Sequence, residues 1–325
     1  MAFSQSQSAL WKVSGNGIKE PSYLFGTINF LPKDGYIIPK PVSEALSSCE
    51  VFATKMALDR KTQKQFNDAV KIPNNGWSND YLTDDELNQL RLLLLLDYEV
   101  KETTYHDFYS RLQPIILVTA TAALHLGSNI TYPEKELEAM AKKENLKFVG
   151  LSNIDEEIEA FKQFPIEDQV EALKYTVNNF YQHIKDYENM VSAYLKEQDL
   201  VAVKNETFKA TNKSQAFKKV YYDDRTKAWL SQIKKQMKSK PAFVALGAPY
   251  LVGKEGLIEM LKQDGYRVEP IAMEFVPPKT SYYYLIYLLS ANSLCSGHAF
   301  IGRLILSTIK VRFTFVRSKL GSINN

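Results

Sequence analysis

The sequence predicts an α/β protein with a central mixed sheet flanked by helices and two large helical insertions, Gln63–Asn129 and Asp155–Lys238. Three observations carry this. Two apolar runs far apart, Tyr23-Leu24-Phe25 and Ala242–Leu246, each break at a glycine, Gly26 and Gly247, as short buried strands do. Strand, helix and strand patterns follow one another within Ser22–Met56, the signature of a βαβ unit. Long stretches with helical spacing fill most of the chain between these runs.

In order, the run from Tyr23 continues through Thr27, Ile28 and Asn29, which places a polar side chain at a strand's carboxyl end. Prolines open a helix over Pro39–Ser47, and Val51–Met56 reads as a strand. Gln63–Val70 is a surface helix, and Pro73–Ser78 a loop whose Trp77 should pack back on the core. Thr83-x-x-Glu86 is a capping box that starts a helix through Leu96. Leu92–Leu96 is apolar on every side, which suits a helix sandwiched between others or touching a partner. In Asp107–Leu126, Pro114 either kinks or splits a long helix. Pro133–Asn145 is a solvated helix and Lys147–Leu151 a strand. Ile166–Leu195 is a long helical reach whose Tyr175, Phe180, Tyr187 and Tyr194 should pack against neighbouring helices. A helix over Asp223–Lys238, strand Ala242–Leu246, helix Gly256–Gln263 and strand Arg267–Ile271 close the domain, assigned to residues 1–274.

Asn29 stands three residues after Gly26, and Tyr250 three after Gly247. In α/β sheets the carboxyl edge is where loops form sites on a rigid scaffold, so the repeated layout suggests two halves of one site.

Charge and composition narrow the function classes. The formal charge of +3 is uneven: no acidic residue follows Glu274, whereas residues 1–274 carry 34 Lys and Arg against 37 Asp and Glu. A mildly acidic body with a basic tail is not a nucleic-acid footprint. Cys49 and Cys295 make no disulfide framework, and neither Cys-x-x-Cys nor His-x-x-x-His spacing occurs. The four histidines, His106, His125, His183 and His298, stand apart; Glu102 and His106, four apart, read as a surface ion pair. Beyond Pro277-Pro278, residues 282–301 are mostly apolar and near the length that crosses a membrane, interrupted by Ser290, Asn292, Ser293 and His298. Membrane contact there competes with a terminal helix or strand pair docked on the domain.

Four separated blocks resemble the TraB/GumN family, which includes the Tiki-type metalloproteases. Ala9–Val13 with SYLFGTIN resembles its opening, and FVALGAPYLVGKEGLIEMLKQDGYRVEPI its closing. KFVGLSNIDEEIEAFKQFP and DDRTKAWLSQI resemble the segments between. The resemblance covers about Ala9–Ile271 and implies a divalent-metal site for hydrolysis, with peptides as partners. It also implies where that site departs from the family. The Gly-x-x-His motifs here read Gly26-x-x-Asn29 and Gly247-x-x-Tyr250, and the acidic position falls on Lys55 or else Thr54. The Glu of the Gly-Leu-Glu-Thr segment is Ser152, and the Asn after Arg225 is Thr226.

Neutral imidazoles and carboxylates suit such an ion, whereas Lys55 opposes it. At about 4 Å, with an effective dielectric near 20, one unit charge repels another by about 4 kcal/mol. Tyr250 would have to lose a proton whose reference pKa is about 10. The expectation is a protein without a bound metal, Mn or Co entering only if the altered site still binds one. Arg225 could grip a carboxylate or phosphate, or form a structural salt bridge. The first functional reading is a degenerate metallohydrolase acting as a peptide-binding or regulatory protein. A hydrolase with an altered site at Asn29, Tyr250 and Arg225, and a membrane-attached interaction module, are the others. The start, MAFSQSQSALW, lacks a basic region and an apolar core, so no intact signal peptide is read in it. AFSQSQ resembles sequence around the cleavage site of bacterial envelope proteins, and the expectation is a periplasmic or cell-envelope location.

Overall fold

The structure, a computed structural model, describes residues 7–34, 36–56, 60–212 and 214–276. The tail segment 282–301, Cys295 and His298 lie outside the described residues, and no helix among those described is long and apolar enough to cross a membrane.

Among the described residues there are eight strands: β1 (Leu10–Ser14), β2 (Ser22–Thr27), β3 (Leu31–Pro32), β4 (Val51–Thr54), β5 (Ile130–Thr131), β6 (Lys147–Gly150), β7 (Ala242–Gly247) and β8 (Arg267–Pro270). Six form one sheet in the order β6-β4-β7-β2-β1-β8, and β3 pairs with β5 apart from it. β1 runs antiparallel to both its neighbours, while β2, β7, β4 and β6 are mutually parallel, so the sheet is mixed as the sequence predicts.

The predicted βαβ unit forms with a difference. β2, the helix Lys40–Ser47 and β4 follow in order, but β7 enters between the two strands, pairing Tyr23↔Phe243 on one side and Val51↔Ala242 on the other. Its sequence explains the place. Ala242–Leu246 has no polar residue and is buried throughout, and a strand covered on both faces reads as a continuous apolar run. Phe243 meets Phe25 and Phe52 at ring distances of 6.2 and 6.3 Å, joining the three strands in the core.

Both insertions are helical. Pro114 splits rather than kinks: a short helix, Glu102–Asp107, ends before it, and Pro114–Leu126 begins at the proline, where its missing N–H costs nothing. Ile166–Leu195 is likewise broken at Asn179 into helices Ile166–Asn178 and Phe180–Ser192, followed by a π-helical turn, Ala193–Glu197. Thr83 caps helix Asp84–Leu92 with Glu86 closing the box. Of the leucine run, Leu93 and Leu94 are buried while Leu92 and Leu96 stay exposed, so all-round apolarity here does not mean all-round burial. Leu90, Leu94, Leu117 and Leu173 join the insertions in a second core. Trp77, predicted to pack back on the core, is instead half-buried outside the core clusters, with the Arg111 guanidinium 3.4 Å from its ring centre and the His106 ring at 4.4 Å.

Candidate functional site at the carboxyl edge of the sheet

Because β2, β7, β4 and β6 are parallel, their carboxyl ends share one edge, with Thr27 opposite Gly247 and Thr54 opposite Gly150. Asn29, Tyr250, Lys55 and Ser152 therefore leave the sheet side by side. Arg225 arrives at the same edge from the helix Asp224–Ser239, whose Trp229 donates from Nε1 to Ser152 Oγ at 2.8 Å.

Glu157, only 1% exposed, joins the two cations of the site. Lys55 Nζ lies 3.2 Å from its Oε2, and Arg225 pairs with its Oε1. The Arg225 guanidinium also lies 4.7 Å from the Trp229 ring centre and 5.1 Å from that of Tyr221, and donates to Ser152 Oγ at 3.4 Å. Of the two readings open for Arg225, the fold realises the salt bridge. Burial pushes its pKa below the ordinary value, although a guanidinium keeps its charge in proteins.

Tyr250 lies in a short buried helical turn, Ala248–Leu251, under Tyr222 at 4.7 Å and Trp229 at 5.0 Å. Burial raises its phenol well above the ordinary value, which keeps it neutral. Glu134, on helix Pro133–Lys143, accepts from Thr27 Oγ1 at 2.8 Å. Desolvation raises its carboxyl pKa, a shift that the charge of Lys55 opposes.

Asn29 has a different setting. It lies in the bend between β2 and β3, is exposed, and lines a cavity of about 210 Å³ together with Tyr221 and Tyr222. Those tyrosines are also the ones that touch Lys55, Arg225 and Tyr250, so the cavity wall and the buried residues share one aromatic pair. The two glycines differ too. A Cβ on Gly26 would come within 2.8 Å of Leu200 and 3.2 Å of Leu251, whereas on Gly247 it would meet the Tyr250 ring at an ordinary 3.5 Å.

These donors do not fit a divalent ion. Asn29 is neutral and exposed, Tyr250 is held protonated, and Glu157 is already shared between Lys55 and Arg225. Among the described residues, no group of three or more His, Cys, Asp or Glu is placed to hold a metal. The surface pair predicted for Glu102 and His106 does not form. Glu102 reaches Arg91 at 2.6 Å, and His106 turns its Nδ1 to Asp107 at 3.1 Å and its ring to Trp77.

Glu157 and Glu134 are the charged residues that sequence reading missed. Glu157 looks like one of four acids on a solvated helix, Asp155, Glu156, Glu157 and Glu159. The signal lay in spacing: Glu157 shares a buried stripe with Ala160, Phe161 and Phe164, at i, i+3, i+4 and i+7. Glu134 is hidden by its place in a helix's first turn, where acids are favoured for the dipole alone.

The sequence pattern of the TraB/PrgY/gumN family matches residues 9–270, from β1 to the end of β8. The chain belongs to the TraB/PrgY/gumN family. No curated protein and no solved structure matches it. The family match spans all six strands of the main sheet, and three of the four resembling blocks run out at the shared edge: SYLFGTIN along β2, KFVGLSN along β6 and FVALGAPY along β7. In this TraB/PrgY/gumN chain the fourth block, DDRTKAWLSQI, delivers Arg225 and Trp229 to that edge.

Proposed function

We propose that this TraB/PrgY/gumN protein is a degenerate metallohydrolase that acts without catalysis, as a peptide-binding or regulatory protein of the bacterial periplasm or cell envelope. The observation that carries the reading is the Lys55–Glu157–Arg225 bridge. It has two positive charges sharing one buried carboxylate, a net charge of +1, where an ion would need anionic and imidazole donors. Peptide as the ligand class, and the exported location, rest on the family resemblance.

Calorimetry with Mn²⁺ and Co²⁺ tests the reading, on the parent protein and on the triple variant Asn29→His/Tyr250→His/Lys55→Glu. The parent is expected to give no binding heat. The triple variant regains affinity, and Lys55→Glu contributes most because it replaces a repulsive charge by an attractive one. Tight binding by the parent would overturn the reading and favour a hydrolase with an altered site.

A further inference from the structure

We infer that the cavity beside Asn29 is a binding site for a small neutral aromatic ligand carrying a hydrogen-bond donor, a phenol or an indole, whose donor is accepted by His183. Apart from Asn29 on the rim, this site uses none of the residues that decide the metal question, and it stands whichever way that question falls.

The cavity lies among Phe30 after β2 and the helices Pro114–Leu126, Phe180–Ser192 and Leu200–Thr207, with the π-helical turn Lys218–Asp223 completing the wall. Its volume, about 210 Å³, exceeds the roughly 150 Å³ at which an apolar cavity takes benzene, so one substituted ring fits. Ring faces line it: Phe30 stacks on Tyr187 at 5.2 Å and Phe217 on Tyr221 at 5.4 Å. Ile116 and Ala122 supply aliphatic surface. Exposed Asn29 and Thr119 leave a way in from solvent.

The charged side chains in the wall, two carboxylates and one ammonium, are already paired with one another, so none is free to bind a charged ligand and a neutral one is favoured. Asp186 accepts from Tyr175 at 3.0 Å, Gln182 at 2.7 Å and Lys209 at 3.1 Å, and Lys209 also pairs with Glu206 at 2.6 Å. Among the described buried polar atoms of the lining, His183 Nε2 is left with neither a hydrogen bond nor an ion pair. The Val118 backbone engages the imidazole through its other nitrogen, and burial lowers the pKa, so the ring is neutral and Nε2 is an acceptor. A buried acceptor without a partner is costly, and a phenolic O–H or indole N–H removes that cost.

The test titrates the protein with phenol, indole and toluene, the last matching phenol in shape without a donor. Phenol and indole are expected to bind, and to move one histidine Nε2 resonance in ¹⁵N-histidine-labelled wild-type protein. His183→Phe should lower the phenol-to-toluene affinity ratio by about 2–10-fold, the worth of one neutral hydrogen bond. Ala122→Phe, which fills the cavity, should abolish binding of all three, with the thermal transition confirming that the variant folds. N-acetyltyrosinamide separates the sources: binding of phenol alone assigns a free small molecule, and binding of both assigns a side chain presented by a peptide. Absence of phenol and indole binding, an unmoved histidine spectrum, or binding that survives in folded Ala122→Phe would overturn the inference.

Discussion

Gly26 and Gly247 close two adjacent parallel strands, each followed three residues later by a polar side chain, and the resemblance ends there. After β2 the chain enters a bend and leaves Asn29 open to solvent at the mouth of a cavity. After β7 it enters a buried helical turn that begins Ala248-Pro249, and Tyr250 is sealed under Tyr222 and Trp229. The glycines invert that order. Gly26, beneath the open end, is the crowded one, because Leu200 and Leu251 press on it and the Tyr194 hydroxyl donates to its carbonyl at 2.7 Å. Gly247, beneath the sealed end, has room. One local layout thus serves two purposes, and what decides between them is the element packed above it.

The largest effect expected in this comparison lies on the sealed side. Glu157→Gln leaves Lys55 and Arg225 without their counter-charge, and Arg225 is 8% exposed. Removing one partner of a buried ion pair costs about 3–5 kcal/mol, whereas replacing the whole pair by apolar residues is often neutral. Urea unfolding should therefore show a loss of that size for Glu157→Gln and a substantial recovery in Glu157→Gln/Arg225→Met. A single variant as stable as the parent would mean that the bridge does not close the site. Asn29→Ala, on the open side, should stay within about 0.5 kcal/mol of the parent.

The glycines give an intermediate effect and a direct contrast. Gly26→Ala forces the Leu200 and Leu251 side chains to move, and overpacking of this kind costs about 1–3 kcal/mol. Gly247→Ala, at φ −51° and ψ 136°, adopts a backbone that alanine accepts and makes only an ordinary contact. It should be neutral or stabilise by about 0.4–1 kcal/mol, through the unfolded chain. Equal losses in thermal unfolding would erase the distinction between the two strand ends.

How far this was legible in the sequence follows from the same residues. Five of the six strands of the main sheet were readable, β2, β6 and β7 because short apolar runs there meet a glycine, but β1 was not read as a strand, and β7 could be placed between β2 and β4 only once its pairing was seen. The site was half legible. The four positions at the edge, Asn29, Lys55, Tyr250 and Arg225, are named by motif, but the carboxylate that unites Lys55 with Arg225 sits in a run of acids that resembles any solvated helix. Exposure was not legible at all: nothing in Gly-x-x-Asn and Gly-x-x-Tyr distinguishes an open bend from a sealed turn. The break at Asn179 escaped because no proline or glycine marks it.

The smallest effect concerns Glu134, the carboxyl beneath the open end, whose hydrogen bond from Thr27 ties it to β2. Burial raises its folded pKa above the unfolded value near 4.5. Between those two values the folded state holds a proton that the unfolded state has released, so stability falls as pH rises through the window. The contribution is fully present below about pH 4.5 and lost above the raised folded pKa. Glu134→Gln removes the ionisation while keeping an oxygen for Thr27, and the change is small because only a protonation step is at stake. The variant should be more stable than the parent at pH 7 by a margin that closes as pH falls toward 4, read from urea midpoints across that range. A margin that grows on acidification would show that Glu134 is held as a carboxylate by Lys55, and would join the β2 end to the sealed charge network instead of setting it apart.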